Sequence, residues 1–334
     1  MGGTSWSDDA YDARKDFRDK TGKSAFAHDD SVRSSGAAPK CHPKMDPKGV
    51  TRESRDSAAH PESLAIGTCF DVTGSMGGVP VIFQKKLKDL MGLLLRKGYV
   101  EHPQILTCAI GDATCDSVPL QAGQFESGIE IEDDLSRVYI EQGGGGHITE
   151  SYELALYFVA RHTSIDCFEK RGKKGYLVLT GDEIPYSHVK RDEVKEIFGD
   201  NLQEDIPVKD IIAEVKERYN LIFIIPSATS WGKDPKIFNH WASLIGKENV
   251  LVLQDPELIC ETIALAIGIG EDKTDIDGGI DDIKALGVSD SGASAISTAV
   301  MPYAKSRSSV AKADVGSLPK IPTDKTSKDK TRRL

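Results

Sequence analysis

Between Leu64 and Ile267 the chain alternates short, nearly continuous apolar runs with longer stretches in which apolar residues recur every three or four positions. The first pattern predicts buried strands and the second predicts amphipathic helices. Their regular alternation points to an α/β fold, a doubly wound and mostly parallel six-stranded sheet with helices on both faces. The strand candidates are Leu64 to Val72, Gln104 to Ile110, Val118 to Phe125, Gly175 to Leu179, Leu221 to Pro226 and Val250 to Leu253. Val118 to Phe125 is the weakest of them. After the first strand, Val79, Ile82, Phe83, Leu87, Leu90, Met91, Leu94 and Leu95 fall on one helical stripe, and Lys85, Lys86 and Lys88 fall off it. Further helices are predicted over Glu150 to His162, His188 to Phe198, Val208 to Tyr219, Pro235 to Ile245 and Pro256 to Ile267, several opened by Asp or Pro and closed by Gly.

The two ends lack this periodicity. Residues 1–60 mix Ser, Asp, Lys, Arg, Gly and Pro, which predicts a mostly disordered polar arm with one short helix around Asp9 to Arg18. Residues 271–334 read as a low-complexity, largely disordered tail, and from Tyr303 onward they hold nine Lys or Arg against three Asp.

Charge and cysteine usage narrow the partners and the compartment. A net charge of −10 over 334 residues disfavours binding to nucleic acid or to an anionic membrane surface. No run approaches the roughly 18 to 20 apolar residues that a membrane span needs, and the first residues carry no apolar signal core. The six cysteines, at 41, 69, 108, 115, 167 and 260, form no Cys-x-x-Cys pair, so a reducing, cytoplasmic setting is expected.

The chemistry concentrates where strands end. Asp71, Thr73 and Ser75 offer a carboxylate and two hydroxyls at alternate positions as the first strand hands over to its helix. In a doubly wound sheet, ligands gather outside the carboxyl ends of the strands, where neighbouring connections leave to opposite faces. Two more loops are expected on that edge: the Gly143 to Gly146 run leading through His147 to Thr149 and Glu150, and Thr180-Gly181-Asp182-Glu183 after the strong fourth strand. Hard oxygens beside glycine suit Mg²⁺, which needs only one or two protein carboxylates and keeps several waters. Capping of the following helix accounts for one of the three groups at 71, 73 and 75, but not for all of them.

The Asp71-x-Thr73-Gly74-Ser75 motif after an apolar strand, Thr149 after a Gly-rich loop, and Asp182 after Leu-Val-Leu-Thr together resemble the metal-ion-dependent adhesion site of von Willebrand factor A-like domains. Thr at the second position followed by Gly-Ser-Met resembles the intracellular branch of that family. The resemblance covers about residues 62–270. It implies a Rossmann-like sheet, a Mg²⁺ (or Mn²⁺) held by Asp71, Thr73, Ser75, Thr149 and Asp182, and a binding role without catalysis. The third loop departs from the family pattern, reading Thr-Gly-Asp-Glu where many relatives have Thr-Asp-Gly, so Glu183 competes with Asp182 as ligand. Glu150 and Ser151 compete in the same way with Thr149.

The expected function is therefore a non-enzymatic interaction module or adaptor whose cation recruits an Asp or Glu of a partner protein. Relatives of this kind suggest an AAA-type ATPase or another assembly component as that partner. The alternative is a metal-dependent hydrolase of phosphoesters, using Asp71, Asp182 and Glu183 with Asp112 or His147 as base. A further alternative is a structural component of a large particle. Otherwise Asp112 is assigned a supporting role and His147 is read as an inert loop residue. Other signatures fail on spacing. An aspartic protease loop lacks the intervening Val72, and a haloacid dehalogenase-type phosphatase needs an acid where Thr73 stands. The Gly143 run lacks a Gly-Lys-Ser/Thr ending, and a calcium loop near Asp272 would place Lys273 and Lys284 at ligand positions. Cys41, His42 and His60 are too few for a zinc site.

Overall fold

The computed structural model describes residues 4–143 and 146–316, with side chains through Arg307. Gly144 and Gly145 of the expected Gly-rich turn, and residues 317–334 of the expected tail, lie outside the described residues.

All six apolar runs pair into one sheet. Its strands are β1 (Leu64–Asp71), β2 (Pro103–Ile110), β3 (Leu120–Glu126), β4 (Gly175–Thr180), β5 (Tyr219–Pro226) and β6 (Val250–Leu253). They lie in the order β3-β2-β1-β4-β5-β6, so the order reverses between β1 and β4. Every pair is parallel except β2 with β3. Only residues 111–119 join those two strands, too few for the crossover that a parallel return requires. Every residue of β1, β2 and β4 is buried, as expected of central strands covered on both sides. Phe70 of β1 pairs with Ala109 of β2 and with Thr180 of β4. The carboxyl ends of all three strands are therefore level.

The helical stripe after β1 is real but is not one regular helix. It runs as Val79–Lys85, then Leu87–Met91, then a wider turn over Gly92–Arg96. Lys86 sits at the first break, and its Nζ reaches Asp89 at 2.9 Å and the fully buried Glu261 at 2.8 Å. It is thus a half-buried residue paired with a buried acid, although the sequence pattern places it on the polar face. The other predicted helices appear as Tyr152–Arg161, Arg191–Ile197, Val208–Arg218, Pro235–Ile245 and Ile259–Gly270.

The two terminal segments differ most from expectation. The arm carries helices Asp8–Thr21 and Ala27–Ser35, and Tyr11, Phe26 and Met45 enter the main core. Tyr11 donates its hydroxyl to the carbonyls of Gln84 and Lys85, and Arg14 and Arg18 pair with Asp133 and Glu132. Arg52–Ser54 adds a short parallel pair with Thr163–Ile165. At the other end, helices Ile276–Ala285 and Asp290–Gly316 bury Ile283, Ile296, Val300 and Tyr303 against the same core. The expected disorder of residues 1–60 and 271–334 therefore does not hold for their described parts. A few widely spaced anchors, reinforced by ion pairs, hold each segment, and such anchors leave no periodic signal. Among the described residues no helix is long and apolar enough to cross a membrane.

Candidate metal centre

Because β1 ends level with β4 at the reversal in strand order, the loops that follow them open side by side. Asp71 is the last residue of β1 and is fully buried. Its Oδ1 accepts the backbone N–H of Thr73 at 2.8 Å and the Thr73 hydroxyl at 2.6 Å. Thr73 Oγ1 lies 3.3 Å from Ser75 Oγ, and Ser75 donates to Asp182 Oδ1 at 2.7 Å. Asp182, also fully buried, accepts the Trp231 N–H on its other oxygen at 2.9 Å. Four of the five candidate residues, Asp71, Thr73, Ser75 and Asp182, thus form one continuous chain of polar contacts.

Thr149, the fifth, borders the same cavity of about 260 Å³ together with Thr73, Ser75, Glu150, Glu183 and Trp231. It does not lead a helix. Thr149–Glu150 pairs in parallel with Ile184–Pro185, and this short ladder draws the second loop onto the third. The pairing carries two of the three alternative ligands, Glu150 and Glu183, into the site, whereas the Ser151 hydroxyl accepts the Ala113 N–H at 3.0 Å. Carboxylate oxygens of Asp71, Glu150 and Glu183 lie within 4.8 Å of one another, and all three residues are buried.

Two glycines permit this approach. A side chain at Gly74 would press on the backbone carbonyls of Gln142 and Gly143 at 2.9 and 3.0 Å, where the first loop meets the Gly-rich one. At Gly181 it would strike the Tyr152 hydroxyl. That hydroxyl donates to Asp71 Oδ2 at 2.9 Å, and the ring is fixed edge-on against Phe223 and Trp241. Tyr152 and Trp231 are site residues that the sequence pattern did not point to. The loop after β5 opens on the same edge, as strand order alone would have suggested, and Ser230 binds the Ser75 carbonyl from it.

Four buried acids therefore converge: Asp71, Glu150, Asp182 and Glu183. None of the ion pairs made by the described Lys and Arg residues involves any of them. Burial, followed by the Asp71 charge, pushes Glu150 up to about 11. Burial and the charges of Asp71 and Asp182 push Glu183 up to about 9. Burial raises Asp71 to about 7, although its bonds from Thr73 and Tyr152 oppose the shift. Without a cation, such a cluster holds protons that carboxylates ordinarily give up well below neutrality. The donor set is all oxygen, with carboxylates and hydroxyls mixed, and it fits a hard divalent cation.

No family model matches the sequence, and no curated protein does. Among solved structures, the chain is similar to the pilus adhesin SpaC from Lactobacillus rhamnosus GG in its open conformation, at 11% identity over 67% of this chain and 31% of that one, with a TM-score of 0.43. It is also similar to proximal thread matrix protein 1 from the mussel byssus, at 10% identity over 67% of this chain and 47% of that one, with a TM-score of 0.39. The chain thus spans less than half the length of either protein. Likeness at that level bears on neither its fold nor its function.

Proposed function

We propose that this protein is a Mg²⁺-dependent interaction module, in which a cation at the end of β1 recruits an Asp or Glu of a partner protein. The observation that carries the reading is the meeting of four buried acids, none of them ion-paired with a described Lys or Arg, at the reversal in strand order of a mostly parallel sheet. A Rossmann-like, doubly wound arrangement agrees with that strand order and puts ligands at this crevice. Asp71, Thr73, Ser75, Thr149 and Asp182 would hold the ion, with Glu150 and Glu183 as alternative ligands from the second and third loops. When bound, the cation supplies an electrophilic position that an incoming carboxylate can fill. Tyr152 and Trp231 orient Asp71 and Asp182, and the short Thr149–Ile184 ladder fixes the wall that the partner meets. The partner is a protein, with an AAA-type ATPase or another assembly component as the first class to test. The six free cysteines agree with a reducing, cytoplasmic setting.

A second reading is favoured by one observation. The Asp71–Glu150–Glu183 cluster has more carboxylates than a recruiting site needs, and a metal-dependent phosphoester hydrolase would use them. One set of experiments separates the two. Isothermal calorimetry with MgCl₂ should give saturable binding that Asp71→Ala removes. Capture of a partner should then depend on Mg²⁺, be reversed by chelator, and be lost when one partner Asp or Glu is replaced. Turnover of a phosphoester panel by the Mg²⁺-loaded protein would overturn the adaptor reading in favour of the hydrolase. Absence of any Mg²⁺ or Mn²⁺ binding would end both.

A further inference from the structure

Beside the acidic centre, a second cluster of different chemistry joins the loop after β2 to the Gly-rich loop. Ligand atoms of Asp112, Cys115 and His147 all lie within 4.8 Å of one another. His147 Nε2 is 3.4 Å from Asp112 Oδ2. Asp112 is buried, whereas Cys115 and His147 open to solvent, so an ion could enter from outside.

The hydrogen bonds around this cluster show how its atoms are held; the Cys115 thiol makes a long contact, 4.0 Å, to Asp116 Oδ1. His147 Nδ1 lies 3.1 Å from the Thr149 carbonyl, which can only accept, so Nδ1 carries the proton and donates it. In the neutral ring, Nε2 then turns a lone pair toward the Asp112 carboxylate, which has only lone pairs to offer in return. Either a proton on Nε2 or a cation between the two atoms makes this contact attractive. Asp112 is itself held in place: Oδ1 accepts the N–H of Thr114 at 2.7 Å and its hydroxyl at 2.8 Å, and the Tyr186 hydroxyl lies 3.0 Å from Oδ2. A histidine donating its far nitrogen to a carbonyl, and a carboxylate oriented by hydroxyl donors, make up the outer shell that metal ligands commonly have.

We propose that Asp112, Cys115 and His147 form a Zn²⁺ site, distinct from the acidic centre, that clasps the Gly-rich loop to the end of β2. One thiolate, one imidazole and one carboxylate are a borderline-soft donor set that favours zinc over Mg²⁺ or Ca²⁺, and three protein ligands leave the fourth tetrahedral position to water. Binding forms a Zn–S bond and breaks the Cys115 S–H bond, releasing that proton to the buffer. Because His147 itself lines the cavity beside the acidic centre, together with Thr149, the clasp would also fix that wall.

The test uses the full chain, reduced under anaerobic conditions and stripped of metal, and titrated with Co²⁺ and then with Zn²⁺. The expected result is one strong equivalent whose cobalt form shows thiolate-to-cobalt charge-transfer absorption together with intense tetrahedral bands. Zinc should displace the cobalt and release about one proton per ion, as read by calorimetry in buffers of different ionisation enthalpy. Cys115→Ser should remove the charge-transfer band while leaving the protein folded, and His147→Ala should weaken zinc binding. Tyr186→Phe should weaken it about 10- to 100-fold. Asp71→Ala should leave the cobalt spectrum unchanged. A wild-type spectrum without thiolate absorption would overturn the proposal and leave His147 and Asp112 as a simple ion pair. Zinc binding lost in Asp71→Ala but kept in Cys115→Ser would overturn it as well, by assigning the ion to the acidic centre.

Discussion

Ser75 Oγ donates to Asp182 Oδ1 across 2.7 Å, joining two loops whose residues stand 107 positions apart. That bond closes the first loop against the third, and with Asp71 and Thr73 it lines up carboxylate and hydroxyl oxygens on one side of the cavity. A ligand that binds only the folded state raises stability by mass action, by about 2.7 kcal/mol when present at 100 times its dissociation constant. Mg²⁺ or Mn²⁺ should accordingly raise the melting temperature of the wild-type protein. Asp71→Asn, which keeps an acceptor for Thr73 but removes the charge, should show no such rise. Differential scanning calorimetry with and without MgCl₂ checks both outcomes.

The metal-free protein should lose stability as pH rises, opposite to the usual behaviour of paired carboxylates. In the folded state Asp71, Glu183 and Glu150 are raised to about 7, 9 and 11, while in the unfolded chain they return to ordinary carboxylate values. From about pH 4 upward, the folded state therefore binds more protons than the unfolded one, and the slope of unfolding free energy against pH is negative for these groups. Their stabilising contribution is complete below the unfolded values and declines as pH climbs through 7 and 9. Urea denaturation in EDTA at pH 5, 7 and 9 should show a falling midpoint, and added Mg²⁺ should flatten that fall. A midpoint independent of pH in EDTA would mean that Asp71, Glu150 and Glu183 are not desolvated as the structure has them.

Gly181→Ala tests how the third loop is aimed. The added methyl group meets the Tyr152 hydroxyl, whose ring cannot retreat because Phe223 and Trp241 pack against it. Overpacking of this kind costs about 1–3 kcal/mol. It should also push Tyr152 off Asp71 and weaken Mg²⁺ binding. Tyr152→Phe removes the same hydrogen bond without adding a group, whereas in the double variant Gly181→Ala/Tyr152→Phe the ring carbons Cζ and Cε1 still lie 2.6 and 2.8 Å from the added methyl, so it should recover only part of the lost stability and none of the cation affinity. Denaturation curves and calorimetric titrations of the three variants separate the two effects.

Much of this arrangement could be read from the chain, for physical reasons that differ by element. The central strands announce themselves because β1, β2 and β4 are buried on both faces and must be apolar throughout, and strands of that kind return at carboxyl ends where Asp71 and Asp182 stand. Glu150 is visible only as a neighbour of Thr149, and Glu183 as a neighbour of Asp182 and a carboxylate of the hydrolase alternative. Choosing between adjacent residues depends on the Thr149–Ile184 ladder, a two-residue pairing too short to leave a pattern. Tyr152 reads as an ordinary apolar position on its helix, and nothing local reveals that its hydroxyl reaches Asp71. His147 reads as an idle loop residue until the carbonyl of Thr149 and the carboxylate of Asp112 are placed around it. The N-terminal arm reads as disordered because one Tyr11, one Phe26 and one Met45 suffice to dock a polar segment once ion pairs hold its surface.

The docked arm yields a prediction independent of any ion. Tyr11 is buried, and its hydroxyl bonds the carbonyls of Gln84 at 3.1 Å and Lys85 at 2.9 Å, where the helix after β1 approaches its break at Lys86. Tyr11→Phe keeps the packing and removes the donor, which should cost about 0.5–1.5 kcal/mol. Tyr11→Ala also leaves a cavity and should cost about 3–5 kcal/mol. If the arm instead moved freely in solution, both substitutions would be silent. Amide exchange provides the direct measurement: residues 8–21 should be protected in the wild type and lose that protection selectively in Tyr11→Ala, ahead of the central strands. Equal exchange in both proteins at the free-chain rate would show that the arm does not dock.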